Sequence, residues 1–375
     1  MGAMVQGGWD TEVFVVGGGP AGLAAAIAAR QQGFEVTVAD AARPPIDKTC
    51  GEGIMPEGLR ALERLGVALP REQGSPFHGI RFVGSGSSVE ASFPQGQGLG
   101  VRRTTLHGLL VEHAEKVGVN LCWGTRVTGL IEHGVLLDGV QVRSRWVVGA
   151  DGENSRVRRW AGLDSSAPTI RRYGFRRHYA IAPWSPFVEV YWTASGQIYV
   201  TPVGAQEICV AMISRHSKVR LDDLLAECPE FSSRLGDSAP KTKELGAVSS
   251  TRALPAVYSG SRVLLGEASG SVDAITGDGL SMAFQQASVL GQALLTGDLD
   301  TYQQAHRRIR RIPRMMSSLM LLMDAHPRLR RRSLHAMASD PQLFDRLLAV
   351  HSGALDPMEF GVHGTLSLGW GLLTA

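Results

Sequence analysis

Cysteine is scarce in this chain: of its 375 residues only four are cysteines, at positions 50, 122, 209 and 228. None of them forms a C-x-x-C pair, and their spacing matches no short secreted framework. Disulfide scaffolds and cysteine-based zinc sites depend on such patterns. We therefore expect reduced thiols. Several histidines, 107, 113, 133, 178 and 216, share no common spacing, so we expect no metal site.

Long apolar runs and an excess of one charge are also missing. The longest apolar stretch near the end, "MMSSLMLLM", is much shorter than the about 20 residues that a membrane-spanning helix needs. The formal net charge is only +3, which gives little support to nucleic-acid binding. These absences predict a soluble, cytoplasmic protein with no nucleic-acid partner and no integral membrane segment.

The clearest pattern present is "VFVVGGGPAGLAAAIAARQQGFEVTVAD" near the amino terminus. It predicts a buried strand, a glycine-rich turn, a helix and a second strand, which together form a βαβ unit. Gly17, Gly19 and Gly22 have the G-x-G-x-x-G spacing. We assign Gly17 to the tight turn, Gly19 to close approach of a pyrophosphate, and Gly22 to packing of the helix on the strand.

The start of that helix, with Pro20 and Ala21 beside the glycines, offers free N–H groups and the positive end of a helix dipole to a pyrophosphate. Asp40 closes the second strand, where an acid accepts hydrogen bonds from a ribose diol. The ordered set of strand, helix, strand and acid predicts dinucleotide binding. An ordinary glycine-rich turn is the alternative.

Three later segments carry further candidates. Arg103 precedes an apolar pattern of helical spacing, and a basic residue at a helix start suggests an anionic partner. Asp151 and Gly152 follow the apolar run "WVVGA". Glu267 follows the apolar run "RVLLG", and Gly277 and Gly279 lead into a long helix that begins at about Leu280.

The order of these segments predicts an α/β protein with an interleaved second sheet. We expect a discontinuous dinucleotide-binding domain with a mainly parallel sheet, formed by residues 10–74, 95–171 and 250–300. Alternating patterns at 75–94 and 172–249 predict an antiparallel substrate domain. Residues 301–375 are predicted to form a helical carboxyl-terminal region.

These motifs, spread over residues 10–300, resemble the FAD-dependent oxidoreductases of the para-hydroxybenzoate hydroxylase-like fold. That group includes flavin monooxygenases, flavin halogenases and geranylgeranyl reductases. The resemblance implies that FAD is the cofactor and that the residues named above, from Gly17 to Gly279, contact it. Glu267 stands where the family has aspartate, and Ala274 stands where it has proline.

Within this family, "CGEGIMPEG" at residues 50–58 resembles the C-G-E-G segment of the geranylgeranyl reductases, which lies over the flavin ring. Cys50 and Glu52 are therefore our candidates for catalysis. The alternatives are a small residue in a close-packed loop for Cys50, and a structural hydrogen bond or solvent exposure for Glu52. The paired tryptophans of that reductase branch are absent from "QIYVTPVGAQEICVAM".

The resemblance places a flavin monooxygenase first among the candidate functions. In it, NAD(P)H binds transiently and reduces the flavin, and a C4a-hydroperoxide transfers oxygen to a hydrophobic or aromatic substrate. A reductase of carbon–carbon double bonds is the alternative, and a halogenase ranks third. The arginine runs "HRRIRRIPRMM" and "PRLRRRSLHAM" indicate either exposed faces of amphipathic helices, which we favour, or peripheral contact with lipid headgroups.

Overall fold

A computed structural model describes residues 8–84, 86–356 and 359 of the chain. Within these residues the strands are β1 (Thr11–Val16), β2 (Val36–Asp40), β3 (Gly53–Ile54), β4 (Ser75–Phe77), β5 (Gly79–Gly84), β6 (Ser87–Ser92), β7 (Gly98–Gly100), β8 (Asn120–Trp123), β9 (Val127–Ile131), β10 (Gly134–Leu137), β11 (Val140–Gly149), β12 (Ile170–Tyr179), β13 (Phe187–Trp192), β14 (Gln197–Gly204), β15 (Glu207–Ser214), β16 (Leu245–Thr251), β17 (Tyr258–Ser259) and β18 (Arg262–Leu264).

The helices in the same residues are α1 (Pro20–Gln31), α2 (Pro56–Arg64), α3 (Arg103–Lys116), α4 (Arg156–Trp160), α5 (Leu221–Glu227), α6 (Pro229–Leu235), α7 (Gly279–Thr296), α8 (Leu299–Ala325), α9 (Pro327–Ser339) and α10 (Pro341–His351). None of these described helices combines the length and the apolar character that crossing a bilayer requires. The predicted helical region 301–375 extends past them, and its residues 357, 358 and 360–375 lie outside the described part of the chain.

The first sheet has a parallel centre. Its main strand order is β17-β18-β11-β1-β2-β8, and β1 lies between two parallel neighbours, β2 and β11. Phe14 and Val15 on β1 are fully buried because helices and strands cover both faces of this strand. Helices α1 and α7 pack on one face through a shared apolar core.

The second sheet is mainly antiparallel and has the order β16-β12-β15-β14-β13-β5-β6. Only the pair β13 and β5 is parallel in it. Residues of α5 and α6 pack on one face of this sheet, and residues of α9 and α10 pack on the other. A small third sheet, β3-β7-β4, contains the end of the C-G-E-G segment.

This architecture confirms the predicted fold class: a parallel sheet region of the dinucleotide-binding type, antiparallel sheets and carboxyl-terminal helices. The seven-stranded sheet draws its strands from residues 79–92 and 170–251. The division of the chain into domains with separate roles stays a prediction.

Candidate functional site

A cavity of about 670 Å³ lies at the carboxyl ends of the parallel strands β1, β2 and β11. This edge of an open parallel sheet is where such folds bind ligands. Eleven of the twelve residues predicted to bind the cofactor line this cavity: Gly17, Gly19, Pro20, Ala21, Asp40, Arg103, Asp151, Gly152, Glu267, Gly277 and Gly279. Gly22 is not among its lining residues.

The three glycines of the first motif occupy different environments. Gly17 has φ +109°, and a Cβ there would lie 2.5 Å from the carbonyl oxygen of Ala150. At Gly22 a Cβ would lie 1.8 Å from the carbonyl oxygen of Gly17, so this position serves packing of the helix on the loop. At Gly19 a Cβ would meet no protein atom within 4 Å, so this position faces open space.

Asp40 and His107 hold the glycine loop from two sides. The Asp40 carboxylate accepts hydrogen bonds from the Gly18 N–H at 2.7 Å and from the Ala42 N–H at 2.8 Å. His107 Nε2 lies 2.9 Å from the Gly18 carbonyl oxygen, which requires that Nε2 carries the proton and donates it. Burial lowers the pKa of His107, so the ring is neutral at pH 7.

Arg103 begins α3 and lines the cavity. Its backbone N–H donates to Glu52 Oε1 at 2.9 Å, which fixes the first turn of the helix. Its side-chain Nε is buried and has no hydrogen-bond partner among the described residues. An anionic ligand in the cavity would supply the missing acceptor.

The opposite side of the cavity carries acids. Asp151 Oδ2 accepts from the backbone N–H of Arg156 at 2.7 Å at the start of α4, while Asp151 Oδ1 is buried without a partner among the described residues. Glu267 Oε2 lies 2.5 Å from Lys48 Nζ. Gly277, with φ +74°, turns the chain into α7.

These features fit an FAD molecule. The amino termini of α1 and α7 both face the cavity, and such helix starts favour phosphate oxygens and electron-rich ring edges. The open space beside Gly19 gives room for a pyrophosphate. The Arg103 Nε, which has no partner among the described residues, can donate a hydrogen bond to it. Direct contact of the individual residues with FAD stays a prediction.

The C-G-E-G segment presents its small residues to the cavity and turns its acid away. Cys50 and Gly51 line the cavity, whereas Glu52 does not. Glu52 is 1% exposed and has φ +60°. Its two carboxylate oxygens lie 2.7 Å from Arg176 Nη1 and 2.7 Å from His178 Nε2. Glu52 thus ties the loop to β12.

The same acid belongs to a cluster with His178 and Cys209, whose potential ligand atoms lie within 4.8 Å of one another. Arg176 already neutralises the Glu52 carboxylate, and Asp47 also pairs with Arg176 at 2.8 Å. Burial raises the pKa of the Cys209 thiol well above its usual range. The cluster therefore has the character of a buried ion-pair network.

Cys50 is close to the cavity but has the properties of an unreactive thiol. Burial raises its pKa, and this effect outweighs the opposing effect of Arg103. The thiolate is the nucleophilic form, so at neutral pH Cys50 is a weak nucleophile. Its participation in chemistry, like that of Glu52, stays a prediction.

The inner end of the cavity meets the second sheet. Arg172 on β12 is 1% exposed and pairs with Asp273 at 3.2 Å and with Asp324 of α8 at 2.9 Å. The Tyr199 hydroxyl donates to the carbonyl oxygen of Ile275 at 2.7 Å. Apolar side chains of β5, β13 and α10 pack with Ile275 in one cluster. Ile275 is fully buried in this cluster, and its chain neighbours Ala274 and Thr276 line the cavity.

Four residues of this site were not predicted from the sequence: Lys48, His107, Arg172 and Arg176. Their partners lie between 89 and 219 residues away in the chain. One local signal was present on β12, since Arg172, Arg176 and His178 are separated by even numbers of residues and therefore share a face of the strand. A row of polar residues on one face of a buried strand predicts a charged counterpart opposite.

Comparison with known proteins identifies the architecture. The profile of the FAD binding domain family matches residues 10–221. The solved structure of a flavoprotein/dehydrogenase from Cytophaga hutchinsonii superimposes with a TM-score of 0.82 at 18% identity, covering 97% of this chain and 100% of that one. The predicted resemblance to FAD-dependent oxidoreductases of the para-hydroxybenzoate hydroxylase-like fold is confirmed.

Two curated relatives extend over most of the chain. A menaquinone reductase of Mycolicibacterium smegmatis is 28% identical over 329 residues, which cover 78% of this chain and 78% of the relative. A digeranylgeranylglycerophospholipid reductase of Methanocella arvoryzae is 28% identical over 312 residues, which cover 76% and 77% respectively.

Proposed function

The chain belongs to the FAD binding domain family, and on that premise we propose that it is a flavin-dependent reductase of carbon–carbon double bonds in isoprenoid lipids. The observation that carries the proposal is the position of the C-G-E-G loop. Cys50 and Gly51 form part of the cavity wall, and Glu52, which points away from the cavity, pairs with Arg176 and so fixes the loop. Both relatives described above are reductases named for lipids with isoprenoid chains.

The cavity residues have separate tasks in this proposal. The loop at Gly17 and Gly19 and the start of α1 bind the pyrophosphate, and Asp40 binds the adenosine ribose. Arg103 supplies a cationic donor to the same part of the cofactor. Asp151 and Glu267 hold the ribityl side, and Gly277 and Gly279 let the backbone of the α7 start lie close to the ring.

When bound and reduced, FAD would supply the two electrons that saturate a double bond, and the two protons that complete the added hydrogens would come from the reduced flavin and from solvent. The chain itself would orient the lipid and exclude water, and the apolar cluster around Ile275 and Tyr199 packs behind Ala274 and Thr276, which line the cavity. NAD(P)H is our proposed source of the electrons, bound transiently because the sequence contains one nucleotide-binding fingerprint.

A flavin monooxygenase is the second candidate, and one observation favours it. Strand β14, which faces the apolar cluster through Tyr199, contains no tryptophan, although the reductase branch has paired tryptophans in the corresponding strand. The substrate would then also be a hydrophobic organic molecule, and the cofactor site would be the same.

Product analysis distinguishes the two candidates. The protein, loaded with FAD and reduced by dithionite without oxygen, is mixed with menaquinone or digeranylgeranylglycerophospholipid, and the lipid is analysed by mass spectrometry. We expect a gain of two hydrogen atoms per saturated bond of the isoprenoid chain, in addition to the two that reduction of the menaquinone ring to the quinol adds. A lipid unchanged without oxygen that gains one labelled oxygen atom under ¹⁸O₂ with NADPH would favour the monooxygenase. The variant Gly19→Val, which we expect to lack FAD, is the control: any lipid reduction seen with it is due to dithionite itself.

A further inference from the structure

Helix α8 exposes a stripe of side chains that the cofactor site does not use. Arg308, Arg311, Met315, Leu319 and Leu322 follow one another at spacings of three, four, four and three residues. This spacing places all five on one face of the helix, over a length of ~21 Å. The exposed fractions of the three apolar residues are 39%, 42% and 47%, in that order.

The surroundings of the stripe carry mainly positive charge. Helices α8 and α9, residues 299–339, contain nine arginines and two acids, Asp300 and Asp324. Asp300 lies in the first turn of α8 and accepts a hydrogen bond from the Tyr258 hydroxyl, and the Asp324 side chain, 8% exposed, pairs with Arg172 and Arg215. Leaving Arg332 aside, the exposed arginines of this region form no salt bridge among the described residues. They are Arg307, Arg308, Arg311, Arg314, Arg328 and Arg331.

The inner face of the same helix reaches the flavin cavity. Arg310 lines the cavity, and its guanidinium donates to the carbonyl oxygens of Ser269 and Ser271 at 3.3 and 3.1 Å. The exposed stripe therefore lies on the outer side of a helix that forms part of the cavity wall. A surface bound to the stripe would be adjacent to the cofactor site.

We propose that this stripe and the arginines beside it bind the surface of a bilayer that contains anionic lipids. Arginine guanidinium groups pair with lipid phosphates, and the methionine and leucines enter the boundary between headgroups and acyl chains. An anionic bilayer supplies negative charge for the arginines and an apolar layer for the methionine and leucines of the stripe.

The charge pattern argues against a second copy of the chain as the occupant. A twofold interface brings the same patch of each subunit together, so arginines would face arginines. Such contact between like charges is unfavourable. A purely solvated helix face, in turn, does not require three large apolar residues in line.

This inference does not depend on the proposed reaction, because vesicle binding is measured without turnover. The FAD-loaded full chain is sedimented with phosphatidylcholine vesicles that contain phosphatidylglycerol or lack it. We expect binding to the anionic vesicles, weakened by salt, and little binding to the neutral ones. The double variants Arg308→Gln/Arg311→Gln and Leu319→Ser/Leu322→Ser should each weaken binding by roughly tenfold or more.

Two matched controls test the specificity of the stripe. Leu295→Ser removes a leucine on α7 that is 47% exposed, the same fraction as Leu322. Arg64→Gln/Lys116→Gln removes two exposed charges from α2 and α3. We expect both control variants to bind anionic vesicles as the unmodified chain does.

Several results would overturn the proposal. Absence of binding to anionic vesicles would do so, as would equal binding to neutral vesicles. If the leucine variants changed the oligomeric state in size-exclusion chromatography and not vesicle binding, the face would be an interface between copies. If they lowered the melting temperature without affecting vesicle binding, another part of the chain would cover the stripe.

Discussion

Glu52 and Arg176 form a buried ion pair with 2.7 Å between Oε1 and Nη1, although 124 residues separate them in the chain. Glu52 belongs to the loop that lines the flavin cavity, and Arg176 belongs to β12, next to the edge strand β16 of the second sheet. The pair therefore determines where the loop lies relative to the sheet. We propose that Glu52 is a positioning residue.

Replacing Glu52 with alanine should destabilise the protein. Arg176 would lose a buried partner, and breaking one side of a buried pair typically costs about 3–5 kcal/mol. Urea unfolding followed by circular dichroism measures the free energy of unfolding. Glu63→Ala, at an exposed position on α2, is the control and should change it little. A Glu52→Gln variant with unchanged stability and FAD content but no turnover would instead support a direct catalytic role.

Gly19→Val should abolish FAD binding and leave the fold intact. A Cβ at this position meets no atom of the surrounding protein within 4 Å, so the new side chain would extend into the space assigned to the pyrophosphate. Gly22→Ala should instead impair folding, because its Cβ would lie 1.8 Å from a carbonyl oxygen. Flavin absorbance and the melting temperature separate the two effects. Gly108→Val, also without neighbours within 4 Å, is the matched control, and normal FAD retention by Gly19→Val would contradict the assignment.

Arg103→Ala should weaken FAD binding by roughly tenfold to a hundredfold, the value of one hydrogen bond to a charged group. The physical basis is its buried Nε, which has no acceptor among the described residues. Titration of the apoprotein with FAD, followed by flavin fluorescence, gives the dissociation constant. Arg64→Ala, on an exposed surface, should leave it unchanged. An equal affinity in Arg103→Ala and the unmodified chain would refute this role.

Cys50 should react slowly with iodoacetamide at pH 7.5, because burial raises the pKa of its thiol. Mass spectrometry of the folded protein measures the modified fraction, and the urea-unfolded protein shows the full rate. Cys50→Ser should retain FAD, since the side chain is small and no ligand depends on its charge. Rapid alkylation in the folded state, blocked by FAD, would indicate an activated thiol.

Glu57 should make stability depend on pH. Burial raises its pKa from 4.5 to about 7, and Asp278 adds to the effect. The folded state therefore holds the proton more tightly than the unfolded state, so stability falls as pH rises from about 4.5 to 7 and stays lower above that. Glu57→Gln removes this penalty, which amounts to at most ~3 kcal/mol.

Melting temperatures at pH 5 and pH 8 test this expectation. The stabilising effect of Glu57→Gln should be larger at pH 8, whereas Glu63→Gln on the exposed side of α2 should have no such dependence. An equal effect of Glu57→Gln at both pH values would show that the carboxyl group ionises normally.

Local patterns predicted much of the fold because its first unit is encoded by neighbouring residues. Gly17, Gly22 and Asp40 lie within one βαβ segment, and their spacing follows from the turn and the helix they form. The seven-stranded sheet was predicted only as a class, because its parallel pair β13 and β5 joins residues about 100 positions apart. Strand pairing over such distances leaves no local pattern.

The candidate site divides in the same way. The positions of Asp40 and the glycines are predicted by their local motif. The orientation of Glu52, in contrast, depends on its contacts with Arg176 and His178, which lie on β12, more than 120 residues further along the chain. A sequence pattern placed Glu52 near the cavity. Only the tertiary contacts determine that its carboxylate points away from it.

Arg172 joins the cavity segment at Asp273 to helix α8 at Asp324 inside the protein. Separating the two elements would leave a buried guanidinium or carboxylate without its counterion, which typically costs several kcal/mol. Fast independent motion of α8 relative to the cofactor cavity is therefore suppressed. If the proposed reaction is correct, its lipid substrate would enter and leave by rearrangement of side chains or of segments other than α8.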